Sequence, residues 1–299
     1  MSADVSGPPL DGVAAHGVAA RGVENSSVRD SGVEADGDGL RIGAAVRDTD
    51  LAAHPLVRER YPLLARAVLR GGLARVRDMA TVAGNLLQRP RCLYYQDVSQ
   101  PCNKRLPGSG CPAIAGDHGD LAVLGHSDTC VAIHPSDMAV ALTALDAGVL
   151  LTGPDGDRVV RMPGLHRLPG SRPDRDTRLE PGEVITAVTL PPPRPGASRY
   201  RKARERPSSA FALVSLAAIL DVAGDGTVHD CRIVLGGVAH APWRAFRAEQ
   251  ALRGSRAAED SFVAAAEAEM EQARPLPRNA HKVPLARDLI IRTLLELAG

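Results

Sequence analysis

Four of the five cysteines, Cys92, Cys102, Cys111 and Cys130, crowd into a stretch from Gln88 to His134 that shows no helical or strand period. A compact domain rarely tolerates so long an irregular segment unless something ties it down. A disulfide framework is a poor candidate, because Met1-Ser2-Ala3-Asp4 has neither the basic region nor the apolar stretch of an export signal. The thiols therefore point to a metal or a cluster. Their spacings, x9, x8 and x18, lack the paired C-x2-C units of zinc fingers. Four thiolates suit a cubane with one ligand per iron, since the cluster itself can organise the loop. A four-thiolate zinc site and four unligated thiols are the alternatives. His118, His126 and His134 are further nitrogen donors in the same segment, but their even spacing reads as accidental. Cys231, inside an apolar run, reads as a buried small hydrophobe. Lys104 and Arg105, beside Cys102, either add positive charge near the thiols or form a solvated pair, the plainer reading.

The 299 residues make about two domains at roughly 150 residues each. Hydrophobic residues are 44% and charged residues 24%, ordinary for a globular chain. Aromatics are only 3%, so Ala, Val and Leu must build the core. A net charge of +1 argues against a nucleic-acid partner. No apolar run approaches the roughly 18 residues of a membrane span, so no membrane insertion is expected. A cytoplasmic location is the default, with periplasmic export by a signal-bearing partner as the alternative.

Residues 1–38 are expected to be disordered. The ordered body starts with a strand near Leu40–Ala44, and Asp48 is expected to N-cap a short helix. Apolar periodicity predicts one amphipathic helix over 56–69, ended by Gly71-Gly72. Residues 77–87 read as a tight small-residue loop. Ser136 is expected to N-cap a helix with an apolar stripe of Met138, Ala141, Leu142 and Leu145. Gly153-Pro154-Asp155-Gly156 predicts a hairpin, and 184–190 a strand stopped by Pro191-Pro192-Pro193. The domains expected are thus 39–193 and 194–299. The second opens with a basic strand at 200–206. Two apolar runs follow, joined through Gly224-Asp225-Gly226, and then three helices near 243–253, 258–273 and 283–297. The fold class is α+β.

The segment Thr81-Val82-Ala83-Gly84-Asn85 is small-sided, as a phosphate-binding loop with exposed backbone N–H groups must be. An ordinary tight turn is the alternative. In its wider context, Met79 to Arg89, Arg91-Cys92-Leu93-Tyr94-Tyr95, Cys102-Asn103-Lys104-Arg105, Pro107 to Cys111 and His134 to Leu142 together resemble the FAD-binding subunits of molybdenum hydroxylases. These are the xanthine dehydrogenase and bacterial aldehyde oxidoreductase family, and the likeness is to the type that carries a [4Fe-4S] cluster. It continues through Phe211-Ala212-Leu213-Val214-Ser215 and Leu235-Gly236-Gly237-Val238-Ala239, covering about residues 33–299.

The resemblance implies a PCMH-type FAD-binding α+β region followed by a smaller domain of antiparallel sheet and three helices. It also implies an electron-transfer oxidoreductase subunit. The aldehyde is oxidised at a molybdopterin-binding large subunit, and electrons pass through the [2Fe-2S] clusters of a small subunit to FAD in this chain. No catalytic acid or base is then expected here, and no H-E-x-x-H, Walker A or G-x-S-x-G pattern occurs. The resemblance assigns Thr81, Val82, Ala83, Gly84 and Asn85 to the FAD phosphates. It places Asp137 and Lys202 beside the flavin, and Cys92, Cys102, Cys111 and Cys130 on the cluster. Simple N-capping of the following helix and a solvated edge-strand charge are the plainer readings of Asp137 and Lys202. The chain departs from the family at Ala83, where a second glycine is usual, and at Asp78, where Asn is commoner. It has no Ala-Gly-Gly-Thr phosphate loop before Leu40, so an N-terminally truncated FAD region is expected. A cluster-bearing scaffold that has lost FAD is the alternative function.

Overall fold

A computed structural model describes residues 30–206 and 211–299. Most of the segment expected to be disordered, residues 1–29, lies outside the described residues. Its remainder is ordered: Val33–Asp36 forms β1, antiparallel to β2 (Gly39–Gly43), with Gly37 at φ +54 in the turn. The sequence hides β1 because its residues are mostly exposed, and its order comes from the ladder with β2. β3 (Gly148–Gly153) and β4 (Gly156–Arg161) make the expected hairpin. With β5 (Val184–Leu190) they complete a five-stranded antiparallel sheet in the order β1-β2-β5-β3-β4.

Helices α1 (Asp48–Ala53), α2 (Pro55–Arg60) and α3 (Pro62–Arg70) follow β2. The single helix expected over 56–69 is therefore two. Pro62 has no N–H to give and disfavours helical geometry at the residue before it, so Tyr61 turns out of the helix at φ −132 and ψ 55. Asp48 does not cap α1. Arg47 holds the N-cap position, and the Asp48 carboxylate is engaged elsewhere. Short helices α4 (Ala74–Arg77) and α5 (Val82–Leu86) lead to the cysteine segment, whose regular pieces are α6 (Leu93–Gln96) and a 3-10 turn at Pro112–Ile114.

The next helix, α7 (Asp137–Ala144), has its N-cap as expected: Ser136 Oγ accepts from the Ala139 N–H at 2.9 Å. All eight of its residues are buried, rather than one stripe, because it lies in the middle of the molecule. One wall around it is the second sheet, β6 (Ala197–Ala203), β7 (Val214–Val222), β8 (Val228–Gly236) and β9 (Trp243–Arg244), antiparallel throughout. Ala217, Ile219 and Val234 face the core of the first domain. Leu216, Ala218 and Leu220 face Phe262, Ile290 and Leu294 of the covering helices. Burial on both faces explains why β7 is a continuous apolar run instead of an alternating one. The covering helices are α8 (Phe246–Leu252), α9 (Glu259–Met270) and α10 (Lys282–Ala298), the three expected. Cys231 is buried in β8, where its Sγ donates to the Glu249 carbonyl and burial pushes the thiol up to about 12.

The cysteine segment is anchored from the second domain. Lys282, fully buried, donates from Nζ to the carbonyls of Asp120 at 2.8 Å, Leu121 at 3.0 Å and Gly237 at 2.5 Å. Asn279 Nδ2 donates to Leu121 and Ala122. Among the described residues, no helix is long and apolar enough to cross a membrane.

Candidate functional site

A cavity of about 370 Å³ opens where α3, α4, α5 and the N-terminus of α7 meet. Its apolar walls include Val68, Leu73, Val76, Met138 and Phe211, and its polar lining includes Asn85, Ser136 and Asp137. Asn85 is the joint between these elements. Its Nδ2 donates to Asp48 Oδ2 at 2.6 Å, and its Oδ1 accepts from Ser136 Oγ at 2.6 Å and Gln88 Nε2 at 2.8 Å.

The segment 81–85 is not the open loop expected from its small residues. It is α5 and its N-cap, and its donors are already used. The Val82 N–H bonds the Val46 carbonyl at 2.9 Å, Ala83 bonds Ala44 at 3.0 Å, and Asn85 bonds Thr81 at 2.7 Å. Gly84 differs, since its N–H is held only by the Thr81 hydroxyl oxygen, at 3.2 Å. A Cβ at Gly84 would meet nothing within 4 Å except that hydroxyl, at 3.2 Å. Val82 is buried in the core, so of the five residues only Gly84 and Asn85 line the cavity.

Asp137 lines the cavity at the start of α7 and is nearly buried. Its Oδ1 accepts from the Tyr200 hydroxyl, and its Oδ2 from Lys202 Nζ at 2.7 Å. The Lys202 ammonium also donates to the Arg70 carbonyl at 3.0 Å. Lys202 is therefore not a solvated edge charge; its side chain is 1% exposed. Burial raises the Asp137 carboxyl against the pull of Lys202, lowers the Lys202 ammonium, and with the Asp137 charge drives the Tyr200 phenol well up. Sequence reading missed Tyr200, whose only signal was its place in the basic strand two residues before Lys202. It also missed Asp48, a second buried carboxylate on the cavity wall. Its Oδ1 has no hydrogen-bond partner, and burial raises it to about 6 despite Asn85 and Arg77.

The four cysteines of the irregular segment meet. Cys92, Cys102, Cys111 and Cys130 line one small pocket, with Tyr94, Tyr95 and Lys104 beside them, and all four are free. Burial pushes Cys92 and Cys111 up and Cys130 up to about 11. Their thiolates thus need a bound cation to form at neutral pH. Among the described residues, no three Cys, His, Asp or Glu side chains are gathered closely enough to hold a metal ion. None of the segment's histidines lines the thiol pocket. His118 bonds Ala113 and Arg278, His126 bonds Arg274, and His134 accepts from the Ser136 N–H and lies tilted against His166, its buried Nε2 without a partner. Lys104 is not solvated. Its buried ammonium donates to the Pro173 carbonyl at 2.6 Å, to His240 Nε2 at 2.7 Å and to Asp176. Arg105 is likewise spent on the carbonyls of Tyr94, Tyr95 and Gln100.

A sheet-and-helix domain joined to an antiparallel second domain, sharing one core and walling an apolar cavity with convergent polar groups, has the layout of a flavin-binding oxidoreductase subunit. Known proteins bear this out. The chain belongs to the family of FAD-binding domains of molybdopterin dehydrogenases, matched over residues 27–193; residues 198–297 match the CO dehydrogenase flavoprotein C-terminal domain. It is 48% identical over 263 residues to the aldehyde oxidoreductase FAD-binding subunit PaoB of Escherichia coli (strain K12), covering 87% of this chain and 79% of that protein. Among solved structures it resembles a carbon monoxide dehydrogenase from Hydrogenophaga pseudoflava that lacks the Mo-pyranopterin moiety. The TM-score is 0.67 at 26% identity, over 91% of this chain and 78% of that one. Quinoline 2-oxidoreductase from Pseudomonas putida 86 shares the fold, with a TM-score of 0.65 at 23% identity over 91% of this chain and 79% of its own.

Proposed function

We propose that this chain is the electron-transfer subunit of a molybdenum hydroxylase complex that oxidises an aldehyde, and that it carries two centres. FAD occupies the cavity beside Gly84, Asn85 and Asp137, and a [4Fe-4S] cluster is held by Cys92, Cys102, Cys111 and Cys130. The observation that carries the reading is the meeting of four scattered cysteines at one pocket, in a chain of an FAD-binding family with a cavity beside Gly84 and Asn85. The aldehyde assignment rests on the named activity of the 48% identical relative. The partners would be a molybdopterin-binding large subunit and a [2Fe-2S] small subunit, with electrons arriving from the latter.

The residues fit both groups. The cavity lies at the lower end of the roughly 300–1,000 Å³ range of ligand pockets, room for part of a dinucleotide with the rest over the rim. Four thiols supply one ligand per iron of a cubane, and the thiol pocket, about 10 Å³ in this structure, would have to widen around it. When bound, FAD supplies a two-electron acceptor and the cluster a one-electron carrier. The chain supplies position and charge. Gly84 allows close backbone approach, and its N–H can pass from the Thr81 hydroxyl to a phosphate oxygen. Val82 and Ala83 support that turn from behind through their bonds to the strand side. Asn85 locks the cavity floor. Lys202 and Tyr200 keep Asp137 in one orientation.

The satisfied N–H groups of Val82, Ala83 and Asn85 favour a second reading, a cluster-bearing scaffold without FAD. Iron, zinc and released flavin, measured anaerobically on the full chain purified with its partners, separate the two. About four iron and one FAD per chain are expected. Iron without flavin selects the scaffold, zinc in place of iron overturns the cluster, and neither metal nor flavin overturns both.

A further inference from the structure

The two proposed centres are joined by a side-chain contact that neither site description uses. Arg91 immediately precedes Cys92. Its backbone is locked to Ile133 by a two-way bridge, Arg91 N–H to the Ile133 carbonyl at 2.6 Å and Ile133 N–H to the Arg91 carbonyl at 3.2 Å. Ile133 lies between Cys130 of the thiol pocket and Pro135 of the cavity wall. The guanidinium of Arg91 then reaches over the ring of Phe211, 3.9 Å from its centroid. Phe211 is the one aromatic residue among the described residues lining the cavity, and it is 37% exposed. A cation that close to a ring face is held by the ring quadrupole, and it fixes which way the ring turns.

We propose that Phe211 is the wall on which an aromatic ring of the bound cofactor rests, and that Arg91 is the positioning residue that makes this wall depend on the order of the thiol pocket. The inference rests on the FAD and cluster reading above. Ligation of Cys92 fixes the chain at Arg91, Arg91 fixes Phe211, and a fixed ring loses less freedom when a cofactor settles on it. Loss of Cys92 ligation frees Arg91, and the cavity binds more weakly although no cavity residue has changed. Spatial adjacency alone does not establish such coupling, so the test is a mutant cycle.

FAD affinity is measured on the full-length chain by quenching of flavin fluorescence, with circular dichroism confirming the fold. Phe211→Ala is expected to weaken binding about tenfold. Arg91→Met is expected to weaken it roughly two- to fivefold, with Arg91→Lys recovering part of the loss. The double variant should bind no worse than Phe211→Ala alone. Cys92→Ser should weaken FAD binding in the wild-type background and add nothing in the Arg91→Met background. Unchanged affinity in Phe211→Ala, or losses that simply multiply across either pair, overturn the inference while leaving the FAD site standing. A wild-type chain that binds no FAD overturns both.

Discussion

The cavity proposed for FAD and the thiol pocket are built on different plans. The cavity is made of helix ends with local caps, Thr81 to Gly84 and Ser136 to Ala139, and long-range side-chain bonds from Asn85 to Ser136 and Asp48 and from Lys202 to Asp137 tie those ends together. The thiol pocket is made of irregular chain and is held from far away in sequence. Lys282 and Asn279 grip the carbonyls of Asp120, Leu121 and Ala122, and His240 and Asp176 hold Lys104. A site on helix ends is formed before its ligand arrives. A site on a loop needs outside clamps, and it gains most from a bound centre that cross-links its own thiols.

That contrast can be broken at several points. The largest effect belongs to Cys111→Ser, which should remove nearly all bound iron and the broad visible absorbance that goes with it, and, with Cys92 no longer ligated, weaken FAD binding without unfolding the chain. Unchanged iron content would remove Cys111 from the ligand set. Gly84→Val should leave the fold intact, because the added Cβ meets only the Thr81 hydroxyl, yet abolish FAD binding by blocking backbone approach. Flavin at full occupancy in that variant would mean that the cofactor lies elsewhere.

Lys282→Met strips the donor from three carbonyls and should destabilise the chain by about 3 kcal/mol. Its pH dependence has a definite sign. Burial lowers the folded-state Lys282 to about 7 from an ordinary 10.5, so above pH 7 the unfolded chain binds the extra proton. The wild type should therefore gain stability relative to Lys282→Met as pH rises from 7 toward 8.5, read as a widening gap in denaturation midpoint. A constant gap would mean that the ammonium is as easily charged in the fold as in water.

The smallest effect is at Asp48. Burial raises this carboxyl to about 6, so wild-type stability falls as pH rises from about 4 to 6, and the penalty is fully present above that. Asp48→Asn should then be more stable than wild type by about 1 kcal/mol at pH 7, with little difference at pH 4. Equal melting temperatures at both pH values would show that the carboxyl is not held in its neutral form.

The difference between the two regions also decided what could be read from sequence. Most strands of both sheets, the hairpin at 153–156 and the three C-terminal helices were legible, because their periods and turn residues are local; β1, inside the stretch expected to be disordered, and β9 were not. The thiol pocket was legible only as four cysteines needing a common partner. That they meet depends on clamps from Asn279 and Lys282, which no spacing rule connects to Cys92 or Cys130. Small residues at 81–85 suggested free backbone donors. Tertiary contacts with Ala44 and Val46 instead spend those donors and turn the segment into a helix. Lys202 looked like a surface charge by its basic neighbours, and only the packing of β6 against α3, with bonds to the Arg70 carbonyl and Asp137, buries it. Helix 56–69 failed at Tyr61-Pro62, where a local rule about proline outweighs a sound apolar period.

The central claim is that one chain holds two redox centres side by side. An anaerobic reductive titration of the full-length chain, followed by absorbance, counts them directly. Uptake of about three electrons per chain, two at flavin wavelengths and one with the iron–sulfur absorbance, is the predicted result. A chain that takes up no reducing equivalents, or that takes up its full complement after Cys111→Ser, contradicts the account.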